Sequence, residues 1–210
     1  MRGANRVRKA YRDTFHGRAR WHGAWHRLHE QSLLGLNYGR GGVRDSGEQY
    51  ALAYACERLP DARILMDVGA NAGDWSLAAR SRWPGAEVHA FEPSAATYER
   101  LVAATAGAGV ETVRAACGDG PGEATLYAVP GLSELSSLHH RDLAEHHLTM
   151  SAAETVPVVT LDGYCAERSI NSIDYLKVDA EGHDLAVLRG ASGLIERGAV
   201  RFVQFEFGGA

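Results

Sequence analysis

The sequence predicts an α/β fold with a mostly parallel sheet and helices on both of its faces. Two stretches carry that expectation. Ile64–Val68 is a short apolar run of the kind found in a strand buried on both sides. It leads through Gly69 and Gly73 into a helix-periodic set, Trp75, Leu77, Ala78, Ala79 and Trp83. Ile173–Val178 repeats the plan, ending in Asp179, turning at Glu181-Gly182, and entering a helix with Leu185, Val187 and Leu188 that stops at Gly190. A third apolar run, Glu87–Phe91, ends in Glu92, after which Pro93 stops the ladder and Ser94 is placed to cap a helix over Ala95–Ala106.

The composition is that of a globular chain able to bury one core: 210 residues, 45% hydrophobic and 23% charged. A net charge of −4 argues against a general nucleic-acid binder. Cys56, Cys117 and Cys165 are far apart in sequence and form no C-x-x-C pair, which fits a reducing, cytoplasmic setting rather than a disulfide framework or zinc ribbon. No apolar run approaches the roughly 20 residues of a membrane span, and no secretory apolar region follows the basic start.

Residues 1–45 read as a basic helical extension and residues 46–210 as the main domain, with Gly39-Arg40-Gly41-Gly42 marking the break. In the extension, Val7, Tyr11 and Phe15, then Trp21, Trp25 and Leu28, recur at helical spacing beside many arginines, giving amphipathic helices that pack over the domain or fray, with contact to a membrane surface, an acidic partner or RNA as the alternative. His16, His22, His26 and His29 lack a nearby carboxylate or cysteine set that completes a metal site, and read as solvated. Ser46-Gly47-Glu48-Gln49 opens a helix over Tyr50–Leu59 that Pro60 ends. This helix is expected to close one wall of a ligand pocket.

The turn after the first strand spells Asp67-x-Gly69-x-Asn71-x-Gly73, with Asp74 placed to cap the helix. A strand feeding a helix through such a turn is expected to set backbone N–H groups before a crevice. The dinucleotide fingerprint asks for glycine at the first, third and sixth positions. Asn71 and Asp74 stand at the last two, so that fingerprint fails. The pattern resembles instead the nucleoside loop of class I S-adenosylmethionine (SAM) methyltransferases, and Asp67-Val68-Gly69-Ala70-Asn71-Ala72-Gly73-Asp74 is similar to the FkbM family of that class. The resemblance implies a Rossmann-like three-layer fold, SAM as cofactor, and Asp67, Gly69, Asn71, Gly73 and Glu92 as cofactor-binding residues. Glu92 falls about twenty residues beyond the turn, where a carboxylate can accept both ribose hydroxyls.

A strand over Val110–Ala116 is predicted to run into Cys117-Gly118-Asp119-Gly120. By the same resemblance Asp119 accepts from the adenine amine; a turn aspartate before glycine is the plainer reading. Two further strands are expected, Gly122–Val129 and Thr155–Leu161, with Pro157 favouring a sheet edge for the second. The polar connection between them holds Leu135-Ser136-Ser137-Leu138 and the pairs His139/His140 and His146/His147. It is expected to shape the pocket for the acceptor substrate.

Lys177-x-Asp179-x-Glu181-Gly182, followed by Val187-Leu188-x-Gly190-Ala191, closely resembles the FkbM signature. Asp179 is placed at the carboxyl end of the sheet beside the methyl-bearing sulfur, and Asp179, Glu181 and His183 are the candidates for taking the proton from an acceptor hydroxyl. The plainer reading of the acidic set is helix capping with a salt bridge to Lys177. Val200–Phe207 reads as a central strand ending in Glu206; Asp179 with Glu206 is the candidate pair for a divalent cation, an option the residues do not favour. The chain then ends at Gly208-Gly209-Ala210, without the helix and antiparallel strand pair that usually complete this fold. A truncated or degenerate copy of the fold, or a second copy or partner that covers the open sheet edge, is the expectation from this departure.

The family resemblance implies O-methylation of a small molecule, sugar or natural-product intermediate. Three alternatives stay open. They are a non-catalytic SAM-binding or interaction module, a nicotinamide oxidoreductase, and a nucleic-acid methyltransferase recruited by the basic extension.

Overall fold

The computed structural model describes residues 28, 47–129, 132–138 and 150–205. The chain divides into two units, residues 1–49 and 50–210. Leu28 apart, the predicted basic helices, their histidines and the Gly39–Gly42 break lie outside the described residues, as do the His139/His140 and His146/His147 pairs.

In chain order the elements are α1 (Glu48–Arg58), β1 (Ile64–Val68), α2 (Asp74–Arg82), β2 (Glu87–Phe91), α3 (Ala95–Thr105), β3 (Val110–Val113), β4 (Ala116–Cys117), β5 (Gly122–Val129), β6 (Leu132–Ser137), β7 (Ser151–Val159), α4 (Leu161–Glu167), β8 (Tyr175–Val178), α5 (Asp184–Arg189), α6 (Ser192–Glu196) and β9 (Val203–Phe205). Five strands form a parallel sheet in the order β3-β2-β1-β8-β9. The other four form a second sheet, β4-β7-β5-β6, in which β5 runs antiparallel to both β6 and β7.

Period-two alternation sorts the side chains of the parallel sheet between its two faces. Met66, Val68, Phe91, Leu176 and Val178 join Leu161, Tyr164, Val187 and Leu194 from α4–α6 in one core. Tyr175 faces the other way and is met edge-on by Trp75 and Trp83 of the α2 region, at ring distances of 5.1 and 6.1 Å. Farther along that face, Ala70 and Ala90 pack on Leu101 of α3. The sheet's amino-terminal ends are tied by Asp174, which accepts from the Arg63 and Ile64 N–H groups and from Arg201. Burial opposes ionisation of that carboxyl, but these bonds outweigh it and hold the group below the usual carboxylate range.

Several boundaries depart from expectation. The run Val110–Ala116 is not one strand: it leaves the parallel sheet after Val113, and Ala116-Cys117 joins the second sheet beside β7. The Leu135–Leu138 stretch is not a plain connection, since Leu132–Ser137 pairs with β5. Strand β7 lies inside its sheet, yet β4 pairs only with Val158 and Val159, so the side toward β4 is open at Pro157 and the missing N–H costs no ladder bond there. Gly73, not Asp74, occupies the cap position of α2; Asp74 stands in the first turn, where its charge favours the helix dipole. Strand β9 is the edge of the parallel sheet among the described residues rather than central.

Beneath the carboxyl ends of β1 and β8 lies a buried charge cluster. Asp67 has no exposed surface; it accepts from the Ser76 hydroxyl of α2 at 2.7 Å and faces the Lys177 ammonium at 3.5 Å. Lys177, itself 5% exposed, donates to Asp179 at 3.2 Å. Lys177→Met leaves Asp67 as a buried charge with no cation beside it. The substitution is expected to cost about 3–5 kcal/mol in urea unfolding, and a loss below about 1 kcal/mol contradicts this assignment.

Candidate functional site

The site is built at the carboxyl ends of β1, β2 and β8, where an open α/β sheet places its ligands. The turn after β1 is fixed by three residues of positive φ: Gly69 at 79°, Asn71 at 46° and Gly73 at 91°. At Gly69 a Cβ would stand 1.8 Å from the Asp179 carbonyl oxygen, so glycine is required for β1 and β8 to meet. At Gly73 it would stand 2.8 Å from Leu101 Cδ1. Both glycines therefore serve packing as well as turn geometry. The turn's donors are largely used within the protein: Gly69 and Ala70 N–H donate to the Phe91 carbonyl, Gly73 N–H to the Ala70 carbonyl, and Asn71 N–H to Glu92. The expected row of N–H groups facing a crevice is thus mostly turned inward, and a carboxylate takes over the presenting role.

That carboxylate is Glu92, at the end of β2 and 7% exposed. Its Oε2 accepts from Asn71 N–H at 3.1 Å and its Oε1 from Ser94 N–H at 2.9 Å. Burial pushes its pKa up to about 7, against the pull of those two bonds. A carboxylate has roughly four lone-pair positions; two backbone donors leave room for two hydroxyls. The residue fits the part of a diol acceptor, and it also caps the start of α3 in place of the Ser94 hydroxyl, which makes no capping bond.

Across the crevice, the segment after β8 is tightly held. Glu181 takes a left-handed φ of 50° and Gly182 one of 94°. The Asp184 carboxylate accepts from Ala180 and Gly182 N–H, and His183 N–H donates to the Ala180 carbonyl. The Ser137 hydroxyl, at the end of β6, donates to the Glu181 carbonyl at 2.8 Å and joins the second sheet to this segment. His183 lies against the turn that carries Asp119: a Cβ at Gly118 would stand 3.3 Å from its Nε2. Asp119 itself is exposed.

The structure thus brings together Gly69 with Asp179, Asn71 with Glu92, and His183 with the residue preceding Asp119. Asp67 departs from its expected role. Fully buried between Ser76 and Lys177, it has no surface for a ligand and supports the turn from below. The salt bridge foreseen for Lys177 is present at Asp179. Glu206 lies outside the described residues, and among those described no group of three or more His, Cys, Asp or Glu is placed to hold a metal ion. Sequence reasoning missed Ser137 as a contact of the β8 segment and missed Glu154, whose Oε1 accepts from Ala95 N–H at 2.9 Å. Nothing local marks Glu154, because its partner lies 59 residues away.

Comparison with known proteins agrees with this geometry. The Methyltransferase FkbM domain matches residues 67–210, from the end of β1 onward. The chain is 28% identical over 153 residues to Methyltransferase 1 of Beauveria bassiana, covering 65% of this chain and 61% of the relative. It is 26% identical over 167 residues to the hexuronic acid methyltransferase AglP of Haloferax volcanii, covering 78% and 64%. It is 30% identical over 152 residues to the 31-O-demethyl-FK506 methyltransferase FkbM of Streptomyces tacrolimicus, covering 60% and 58%. The chain spans less than two thirds of the length of these relatives. With the domain match running through the turn, Glu92 and the β8 segment, the chain belongs to the FkbM methyltransferase family.

Proposed function

We propose that this chain is a SAM-dependent O-methyltransferase acting on a hydroxyl of a small molecule, either a sugar or a natural-product intermediate. The observation that carries the reading is Glu92, a buried carboxylate between the β1 turn and α3 with acceptor capacity left for a ribose diol. Family membership supports methyl transfer. The names of two relatives, one acting on a hexuronic acid and one on an O-demethyl compound, support an oxygen acceptor.

Bound SAM supplies a methyl group on a sulfonium, a leaving group that needs no acid. In this reading Glu92 accepts the ribose hydroxyls and Asp119 the adenine amine. The remaining work is alignment, worth up to ~7–11 kcal/mol when reacting atoms are held in line, and removal of the acceptor's proton. Asp179 accepts from Lys177, which fixes its carboxylate and suits it to orient a hydroxyl. His183 and Glu181 stand on the same segment to receive the proton.

Three outcomes test this. S-Adenosylhomocysteine (SAH) should bind by calorimetry, and Glu92→Gln should weaken it about 10- to 100-fold, the cost of a hydrogen bond to a charged group; a change below about twofold contradicts the assignment. The pH dependence has a definite sign. Ribose binding uses the carboxylate, so wild-type affinity should fall as pH drops below about 7, while Glu92→Gln stays flat. Ligand-free stability should run the other way: the folded state holds Glu92's proton more tightly than the unfolded chain, so stability falls as pH rises from the ordinary carboxyl value of 4.5 to about 7. Lastly, SAH release should depend on a hydroxylated acceptor from a panel of sugars, uronic acids and polyketide alcohols. Asp179→Asn should lower kcat about 10²-fold, the cost of a misaligned hydroxyl, with SAH affinity retained. Binding without turnover across that panel favours the non-catalytic alternative.

A further inference from the structure

The amino-terminal end of α3 is capped by two carboxylates from different parts of the fold. Ser94, the cap residue, makes no side-chain bond to the helix. Its N–H goes to Glu92 Oε1 at 2.9 Å, and the next N–H, of Ala95, goes to Glu154 Oε1 at 2.9 Å. Glu154 comes from β7 in the second sheet. The β5–β7 pairing shifts there, Leu126 opposing Glu154 and Tyr127 opposing Ala152, so one extra residue bulges next to Glu154. Such a bulge re-aims a strand side chain. Arg114 fixes the other oxygen, Oε2, at 2.9 Å.

We propose that Glu154 is a positioning residue of the ribose site, acting through Glu92; this rests on the SAM reading above. Adjacent N–H groups at a helix start attract one carboxylate in a two-pronged grip. With Glu154 on Ala95, Glu92 makes a single bond to the helix and keeps its second oxygen on Asn71, facing the turn. Without Glu154, the Ala95 N–H is left to Glu92, which is drawn over the helix end and away from Asn71. The second sheet therefore contacts both sides of the crevice: through Glu154 at the ribose side, and through Ser137 at the β8 segment.

The test is calorimetric titration of SAH into the full chain, with melting temperature as a control. Glu154→Ala should weaken SAH about 3- to 30-fold, the range set by losing a helix-capping acceptor. Glu154→Gln, which keeps a carbonyl oxygen for Ala95 N–H, should restore affinity to within about twofold of wild type. If the alanine variant fails to fold, Glu154→Thr carries the test, since threonine suits a strand and is too short to reach Ala95. Glutamine as weak as alanine, or alanine and threonine both equal to wild type, overturns the inference while leaving the SAM reading intact. Wild type that binds no SAH overturns both.

Discussion

One buried ammonium ties together the two strands whose carboxyl ends carry the candidate site. Lys177 sits on β8, beside the central β1 strand, and reaches the carboxylates of both Asp67 on β1 and Asp179 at the β8 end. Charges of this kind are costly to bury singly and persist only in company. Their pairing locks neighbouring strands in register at the point where both chains turn out of the sheet. It also explains the glycine at position 69: with β1 and β8 held this close, the Asp179 carbonyl occupies the space a side chain would need. Ser76 adds a bond from α2 to the same cluster, so the helix after the turn is fixed by the charges that fix the strands.

Above that foundation the two sides of the crevice differ in character. The β2 side is a single carboxylate whose freedom is removed by backbone donors from two elements, and whose burial makes it reluctant to ionise. The β8 side is a loop in left-handed conformations, held by Asp184 from within and by Ser137 from the second sheet. This division is the basis of the proposed reaction, in which one substrate is gripped by its sugar and the other is oriented beside carboxylates and an imidazole. The second sheet is joined to both sides, through Glu154 to Ala95 and through Ser137 to Glu181.

The parallel core was legible in the sequence because its strands are continuous apolar runs and its turns carry glycines at fixed offsets. Ile64–Val68, Glu87–Phe91 and the β8 run all stand where their patterns put them. The second sheet was half legible: β5 was read correctly, but polar Leu132–Ser137 has no apolar alternation to announce a strand, and its pairing with β5 is a tertiary fact. At the site, the Glu92 position followed from spacing, while the motif suggested a ligand role for Asp67 that full burial removes. A motif gives residue type and order; whether the residue faces a ligand or a buried lysine depends on the side of the strand it occupies. Glu154 was invisible because its role depends on a bulge and a contact far along the chain.

Glu92 is proposed to grip the sugar of an adenosyl ligand lodged beside the β1 turn. A crystal structure of the protein with SAH bound tests it most directly. Both ribose hydroxyls are expected within hydrogen-bond distance of the Glu92 carboxylate, with its bonds to Asn71 and Ser94 intact. Ligand density elsewhere, or a Glu92 that contacts only those backbone donors while SAH is bound, contradicts it.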